Sequence, residues 1–410
     1  MSGAAESLRE AASAVARRLR ASGHVAYFAG GCVRDRMLGL EPTEFDVVTD
    51  ARPEEIQRIF PGSRGVGESF GVVLVRRGEH VFDVATFRAE GRYEDGRRPS
   101  SVTFTDAAND AHRRDFTVNG LFEDPATGEI LDFVGGRADL EARRLRAIGD
   151  PDARFAEDHL RLLRGVRFAA RHGLEIEPRT RAAMLRDAPR LAAIARERIG
   201  IELRKMLAHP SRVRAVTELE ALGLDAPALG APGPARSGRR LERLPEGCEP
   251  VPALAAWMLD RAGPGADADV SPAEIERLRH ALLLSNDEMQ WLEAILARRR
   301  DLVARPWEDL PVAARKRFLA AAGSGEAVGL LDVDRPGLAA SIERWAASVP
   351  SGELWPRPLV SGDDLIRLGH RPGPRFRTLL DAALDAQLEG TVRTRDEALG
   401  FLSRVAASDG

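Results

Sequence analysis

Residues Tyr27 to Asp50 read YFAGGCVRDRMLGLEPTEFDVVTD. The apolar Tyr27-Phe28-Ala29 predicts a short strand, and Gly30-Gly31 lets the backbone turn sharply and come close to a ligand. Val33 to Leu38 predicts one or two helical turns that offer backbone N–H groups and Arg34 to an anion. A second strand, Phe45–Val48, then carries acids. Glu44 and Asp46 lie two apart, which in an extended chain puts them on one face. Two carboxylates opposite a glycine turn suit a site for divalent cations and a nucleoside triphosphate. On these grounds Gly30, Gly31 and Arg34 are candidate nucleotide-binding residues, and Glu44 and Asp46 are candidate metal ligands.

Working outward, Glu6–Ala21 has helical spacing in Leu8, Ala12, Val15 and Leu19. Strands then alternate with short helices: Pro53–Phe60 is a helix with proline in its first turn. Val72–Val75 and Val81–Phe87 form a hairpin about Arg77-Gly78. The polar run Arg88–Ser101 predicts a mobile loop. Phe116–Phe122 and Ile130–Phe133 are the last strands expected. Beyond Ala153 the pattern is helical: Asp152–His172, Pro178–Asp187, Ala192–Ala208 and Ser211–Leu222. Gly223–Pro252 is rich in proline and glycine and predicts a linker. Helices Ala253–Arg261, Pro272–Leu284, Asn286–Arg300 and Val312–Ala322 follow, and a helical unit from Ser361 to Val405 closes the chain.

The expected fold is therefore α+β, a mixed-sheet head on an all-α body and tail. Its boundaries are a head at 1–145, a helical neck at 146–222, the linker at 223–252, a helical body at 253–355 and a tail at 356–410. The 410 residues, 44% hydrophobic and 30% charged, fit a packed multidomain protein. No apolar run approaches the ~20 residues that span a bilayer, and the N-terminus lacks a signal-peptide core. Two cysteines without a CxxC pair predict a reducing, cytoplasmic setting and no structural zinc. The formal charge of −3 does not announce a polyanionic partner, but arginines cluster between Arg143 and Arg214. Either a solvated helix face or a phosphate-binding face would look like this.

Three further constellations carry chemistry. Asp83, in Val81–Phe87, is expected in a strand beside Glu44 and Asp46. In Arg113-Arg114-Asp115-Phe116-Thr117-Val118-Asn119, a guanidinium can fork onto phosphate, while Asp115 and Asn119 can bond ribose or hold the arginines. Asp158, Arg161, Arg164 and Arg167 recur every three residues, near one helical face; an i,i+3 salt-bridge ladder has the same spacing.

Together, Gly30-Gly31-Cys32-Val33-Arg34-Asp35, Glu44-Phe45-Asp46 with Thr49, the Arg113–Asn119 motif and Glu157-Asp158-x-x-Arg161 resemble the bacterial tRNA CCA-adding enzymes and their poly(A) polymerase relatives. The resemblance runs from Ala26 to Leu207 and, more weakly, from Ser361 to Leu402. It implies a polymerase β-like nucleotidyltransferase head that adds CCA to tRNA 3′ ends from CTP and ATP with Mg²⁺, without a membrane or a stable protein partner. It also implies site residues. Glu44, Asp46 and Asp83 would be catalytic; Asp158 and Arg161 would read the base; and Asp35, Arg114, Glu157, Arg164 and Arg167, with Asp115 and Asn119, would complete the nucleotide pocket. Glu197–Leu203 would be a supporting helix motif, Arg88–Ser101 the loop used in switching from C to A addition, and the tail an RNA-binding element. No His-Asp phosphohydrolase signature follows, so a second hydrolytic activity is not expected. Glu44 departs from the family's Asp-x-Asp. Addition of A or CC alone, poly(A) synthesis, or an RNA-binding relative with a weakened metal site are the competing readings.

Overall fold

The computed structural model of the chain describes residues 7–65, 71–91, 102–231, 233, 238–350 and 352–408. The chain clusters into two compact units, Met1–Gly233 with Ala281–Leu283, and Pro234–His280 with Leu284–Gly410.

The first unit is built on a seven-stranded mixed sheet. Its strands are β1 (Ala26–Ala29), β2 (Asp46–Thr49), β3 (Arg64–Gly65), β4 (Val72–Arg77) and β5 (His80–Thr86). After the separate ribbon β6 (Arg88–Glu90) and β7 (Val102–Phe104) come β8 (Leu121–Glu123) and β9 (Ile130–Asp132). The spatial order is β3-β4-β5-β2-β1-β8-β9. Only β2 and β5 run parallel within it, with Val47 opposite Val84 and Val48 opposite Ala85. Alternation follows from the pleat. Val47, Val73 and Val84 are fully buried on one face, and Asp46 and Asp83 lie side by side on the other.

Helix α1 (Leu8–Ala21) packs on this sheet through Ala11, Ala12, Val15, Ala16 and Leu19. A Ser7–Glu10 capping box satisfies its first N–H groups. Helices α2 (Gly31–Met37), α3 (Pro53–Ile59), α4 (Ala107–His112) and α5 (Gly136–Glu141) fill the connections. The neck follows as α6 (Pro151–Glu157), α7 (Leu160–His172), α8 (Pro178–Asp187), α9 (Arg196–Leu207) and α10 (Arg212–Ala221). Gly165 allows α7 to press onto Phe116 and Met184: a Cβ there would stand 3.0 and 3.1 Å from their side chains.

The second unit is helical. It comprises α12 (Arg239–Glu242) through α13 (Pro250–Ala262), α14 (Pro272–Leu282) and α15 (Asn286–Ala304), then α16 (Val312–Ala320), α17 (Ser324–Asp332) and α18 (Leu338–Ser348), and finally α19 (Gly362–Arg367), α20 (Pro374–Leu388) and α21 (Arg395–Ser408). Helix α11 (Asp225–Leu229) ends the first unit. In the second unit Leu302, Trp307, Phe318, Leu331 and Ile342 form one apolar cluster, and Leu365, Leu379, Val392 and Leu402 form another. Arg240 is buried beneath α13, bonded to Asp260 (3.1 Å), Asp334 (2.8 Å) and the Gly265 carbonyl (2.8 Å). No described helix is long and apolar enough to cross a membrane.

Several expectations need correction. The second strand starts at Asp46, so Glu44 stands in the extended approach to it. Phe116–Phe122 is not one strand: Phe116 makes an isolated bridge to Ala147, a 3-10 turn spans Thr117–Asn119, and only then does β8 begin. Side chains compete with a ladder here: Asp115 accepts from the Phe116 N–H, and the Thr117 hydroxyl donates to Asp139 at 2.6 Å. Strand structure continues past residue 133, because β10 (Arg144–Leu145) pairs with β11 (Glu175–Ile176) in parallel. The expected helix Asp152–His172 breaks at Asp158, whose backbone is extended and whose carboxylate caps the new helix at the Leu160 N–H, 3.1 Å away. The stretch expected as a linker contains α11 and α12, with residues 232 and 234–237 outside the described ones. The expected loop Arg88–Ser101 begins as β6, and residues 92–101 lie outside the described ones.

Candidate active site

Gly30 turns the chain out of β1 with φ +72°, a left-handed value that favours glycine, and its N–H bonds the Leu121 carbonyl at 3.0 Å. Even a methyl group would not fit, since a Cβ would lie 2.9 Å from Arg114 Nη1. At Gly31 a Cβ would stand 4.0 Å from Glu44 Oε1, so the glycine turn and the Glu44 carboxylate face each other across a narrow gap. These residues open a cavity of about 860 Å³. All the expected site residues line it except Glu157.

The three expected carboxylates differ. Glu44 and Asp83 are exposed at the cavity mouth, and Asp46 is half-buried between them. Burial, then the neighbouring charges of Glu44 and Asp83, push Asp46 up to about 6, although Arg114 works against this. Burial and the like charges together disfavour the charged form of Asp46, a cost that a bound cation would relieve. Among the described residues no group of three His, Cys, Asp or Glu side chains forms a closed metal cage. A site of one or two carboxylates completed by phosphate oxygens and water is how Mg²⁺ is commonly bound, and Glu44 and Asp46 fit that pattern.

Behind the carboxylates runs a continuous polar chain. Arg34 bonds Asp35 through Nε at 2.8 Å and Asn119 Oδ1 through Nη1 at 2.6 Å. Asn119 Nδ2 donates to Asp115 at 3.0 Å, and Asp115 takes Arg164 Nε at 2.8 Å. Burial alone would raise Asp115, but Arg164 and Asn119 hold it well below the usual carboxylate range. Asp115 and Asn119 therefore hold arginines in this structure. Arg114 is fixed by Asp110 at 3.0 Å and by the Asn119 carbonyl at 3.1 Å.

On the facing side, Arg161 donates to Glu157 and to the Arg154 carbonyl (2.8 Å). Glu157 thus positions Arg161 from outside the cavity. The Asp158 carboxylate receives both terminal nitrogens of Arg198, at 3.1 and 2.7 Å. Arg167 bonds Glu202 at 2.6 Å. The Glu197–Leu203 motif thereby has specific contacts: Arg198 holds Asp158, and Glu202 holds Arg167.

Sequence reasoning missed Asp110, which is fully buried between Arg113 and Arg114. Its spacing of three and four residues from them was an available signal. It also missed Arg171 and Lys205, both of which line the cavity. Ten basic side chains face six carboxylates there, so the cavity is cationic although the chain carries −3, as a polyanionic ligand requires.

A glycine turn, paired carboxylates on a mixed sheet and an arginine-lined helix facing them define a nucleotidyltransferase. Residues 26–146 match the family described as the Poly A polymerase head domain, and residues 173–230 match the family described as the probable RNA and SrmB-binding site of polymerase A. The chain is 35% identical to a CCA-adding enzyme of Geobacillus kaustophilus over 95% of each sequence, and 41% identical to one of Geobacillus thermodenitrificans over 56% of each. A crystal structure of the Bacillus stearothermophilus CCA-adding enzyme in complex with CTP superposes with a TM-score of 0.76, at 29% identity and over 98% of both chains. The chain belongs to the CCA-adding enzyme family.

Proposed function

We propose that the protein adds C, C and A to tRNA 3′ ends from CTP and ATP, without a nucleic-acid template. The observation that carries this reading is the facing of two assemblies in one cationic cavity. Asp46, with Glu44 and Asp83, lies on one side, and Asp158 and Arg161 lie on the other. Nucleotidyl transfer asks a protein chiefly for position and charge neutralisation, and both are supplied.

Glu44 and Asp46 would hold Mg²⁺, which supplies charge stabilisation at the reacting phosphate. Asp83, one strand away, is placed to draw the proton of the RNA 3′-hydroxyl. Gly30 and Gly31 let the nucleotide approach the backbone. Arg34, Arg114, Arg164 and Arg167 bind the triphosphate, with Asp35, Asp115 and Asn119 holding them in place. Asp158 accepts and Arg161 donates at the base edge, a pairing that cytosine and adenine can both complete. The helical body and tail take the tRNA by its phosphates and A-form shape. Both cysteines are buried, and their small number without a CxxC pair is in keeping with a cytoplasmic enzyme.

Incubation with a tRNA ending before its CCA, and with one already ending in CC, tests the reading. Addition of CCA to the first and of a single A to the second is expected, both lost in Asp46→Ala. Elongation past the terminal A, or undiminished addition by Asp46→Ala, would overturn it.

A further inference from the structure

Phe168, on α7, lies at the centre of the arginine-rich side of the cavity and was not among the residues the sequence singled out. Its ring is 6% exposed. Three guanidinium carbons stand over it: Arg167 at 4.3 Å from the centroid, and Arg34 and Arg164 at 5.1 Å each. Arg34 comes from α2 and the other two from α7, so the ring is where the glycine turn and the neck helix meet.

Each arginine has a polar partner: Asp35, through Nε and Nη2, and Asn119, through Nη1, for Arg34; Asp115 for Arg164; and Glu202 for Arg167. Those bonds take up only part of the five N–H donors on each guanidinium. The paired carboxylates offset the three like charges, and the negative face of the aromatic ring, which attracts cations within ~6 Å, adds to this by drawing the three guanidiniums to one point.

The ring is itself held. His172, one turn later on α7, stacks on it at 6.3 Å and 25°, and Phe116 meets its rim edge-on at 6.1 Å and 78°. His172 is buried, and neither ring nitrogen has a hydrogen-bond partner among the described residues. Burial, then Arg34, Arg171 and Arg167, push it down to about 3. It therefore serves as a neutral plate that adds no further positive charge to the cluster. Its nearest acid is Asp35, 3.8 Å away.

We infer that Phe168 is a positioning residue for the nucleotide. Its ring gathers Arg34, Arg164 and Arg167 into one clamp for the triphosphate, whichever base the nucleotide carries. This rests on the reading of the cavity as a nucleoside triphosphate site.

The test replaces Phe168 by pentafluorophenylalanine, which keeps the shape of the ring and reverses its quadrupole, beside Phe168→Tyr, which keeps the electron-rich face. Steady-state CTP and ATP addition, and calorimetry with CTP against CMP, are the readouts. In the fluorinated protein the KM for CTP and for ATP should each rise about tenfold, equal to about 1.4 kcal/mol. Its kcat should change by less than about threefold, and CMP binding by less than about twofold, as a clamp made by charge alone requires. Phe168→Tyr should behave as wild type, and thermal melting of both variants checks that they fold. An unchanged KM in the fluorinated protein would overturn the clamp alone, as would an equal loss for CTP and CMP or a loss confined to one base. A wild-type protein that binds CTP no better than CMP would overturn both the clamp and the functional reading beneath it.

Discussion

Replacing Asp46 by asparagine should make the metal-free protein more stable while it destroys the site. Burial, Glu44 and Asp83 raise this carboxyl from 3.8 to about 6. For an acid, a raised value means that the fold disfavours the charged form. The cost is absent below the unfolded value, grows between the two, and is complete above the folded one. Two pKa units at ~1.36 kcal/mol each give about 3 kcal/mol at pH 8. Linkage then predicts that roughly half of this is present at pH 5 and little of it at pH 4. Asparagine has nearly the same size and carries no charge, so Asp46→Asn should recover most of this. Hydrogen exchange of the β2 and β5 amides in EDTA reports the opening of that sheet directly. Protection should be higher in the variant at pH 8, and the difference should shrink toward pH 4. Addition of Mg²⁺ should narrow the gap at pH 8, because wild type gains from the cation and the variant does not. Equal protection at pH 8, or a difference that ignores pH, would refute the electrostatic account of the site.

Glu44→Asp should weaken Mg²⁺ binding about tenfold, measured by calorimetry, because Glu44 precedes the strand and its extra methylene suits the exacting octahedral geometry of that ion; tighter binding would mean that Glu44 impairs the site. Arg198→Ala should reduce the preference for CTP over UTP about tenfold in kcat/KM, as expected for loss of a charge-assisted pair worth about 1.5–3 kcal/mol; an unchanged ratio would remove Arg198 from base selection. Arg240→Met should destabilise the second unit by about 3–5 kcal/mol in urea unfolding, since it leaves Asp260 buried without its partner. A loss below about 1 kcal/mol would show that water or a side-chain shift replaces the arginine.

Patterns of two and of 3.6 residues made most of the architecture legible. The head strands around Asp46 and Asp83, the hairpin and the long neck helices all follow local periodicity. Periodicity failed where one side chain outweighs it. Asp158 looks like the middle of a helix because Phe155, Leu162 and Val166 keep the spacing, yet its extended backbone ends α6 and its carboxylate takes the first N–H of α7. The Phe116 stretch is apolar enough for a strand, yet Asp115 and Thr117 draw the backbone into a turn. The site was legible to the extent that its residues sit in short contiguous motifs. Asp110 was readable from its spacing of three and four residues to Arg113 and Arg114, whereas Phe168 was missed because Arg34 reaches it only through folding and a single aromatic gives no pattern of its own. Asp115 and Asn119 had two open roles. Only the chain of bonds from Arg34 to Arg164 shows that here they hold arginines.

The bidentate contact between Asp158 and Arg198 has a consequence for fidelity. On the proposed reading, the acceptor that would meet the base already has a guest, a guanidinium presenting two N–H groups where an amino group would come. Selection then becomes an exchange rather than a filling of empty space. Cytosine and adenine bring an amino group that can take the place of the arginine. At the ring position of that amino group uracil and guanine carry a carbonyl oxygen, which cannot take the place of the arginine on a carboxylate. Discrimination of this kind would reside in the Asp158–Arg198 pair itself, and it would act on each arriving nucleotide before chemistry begins.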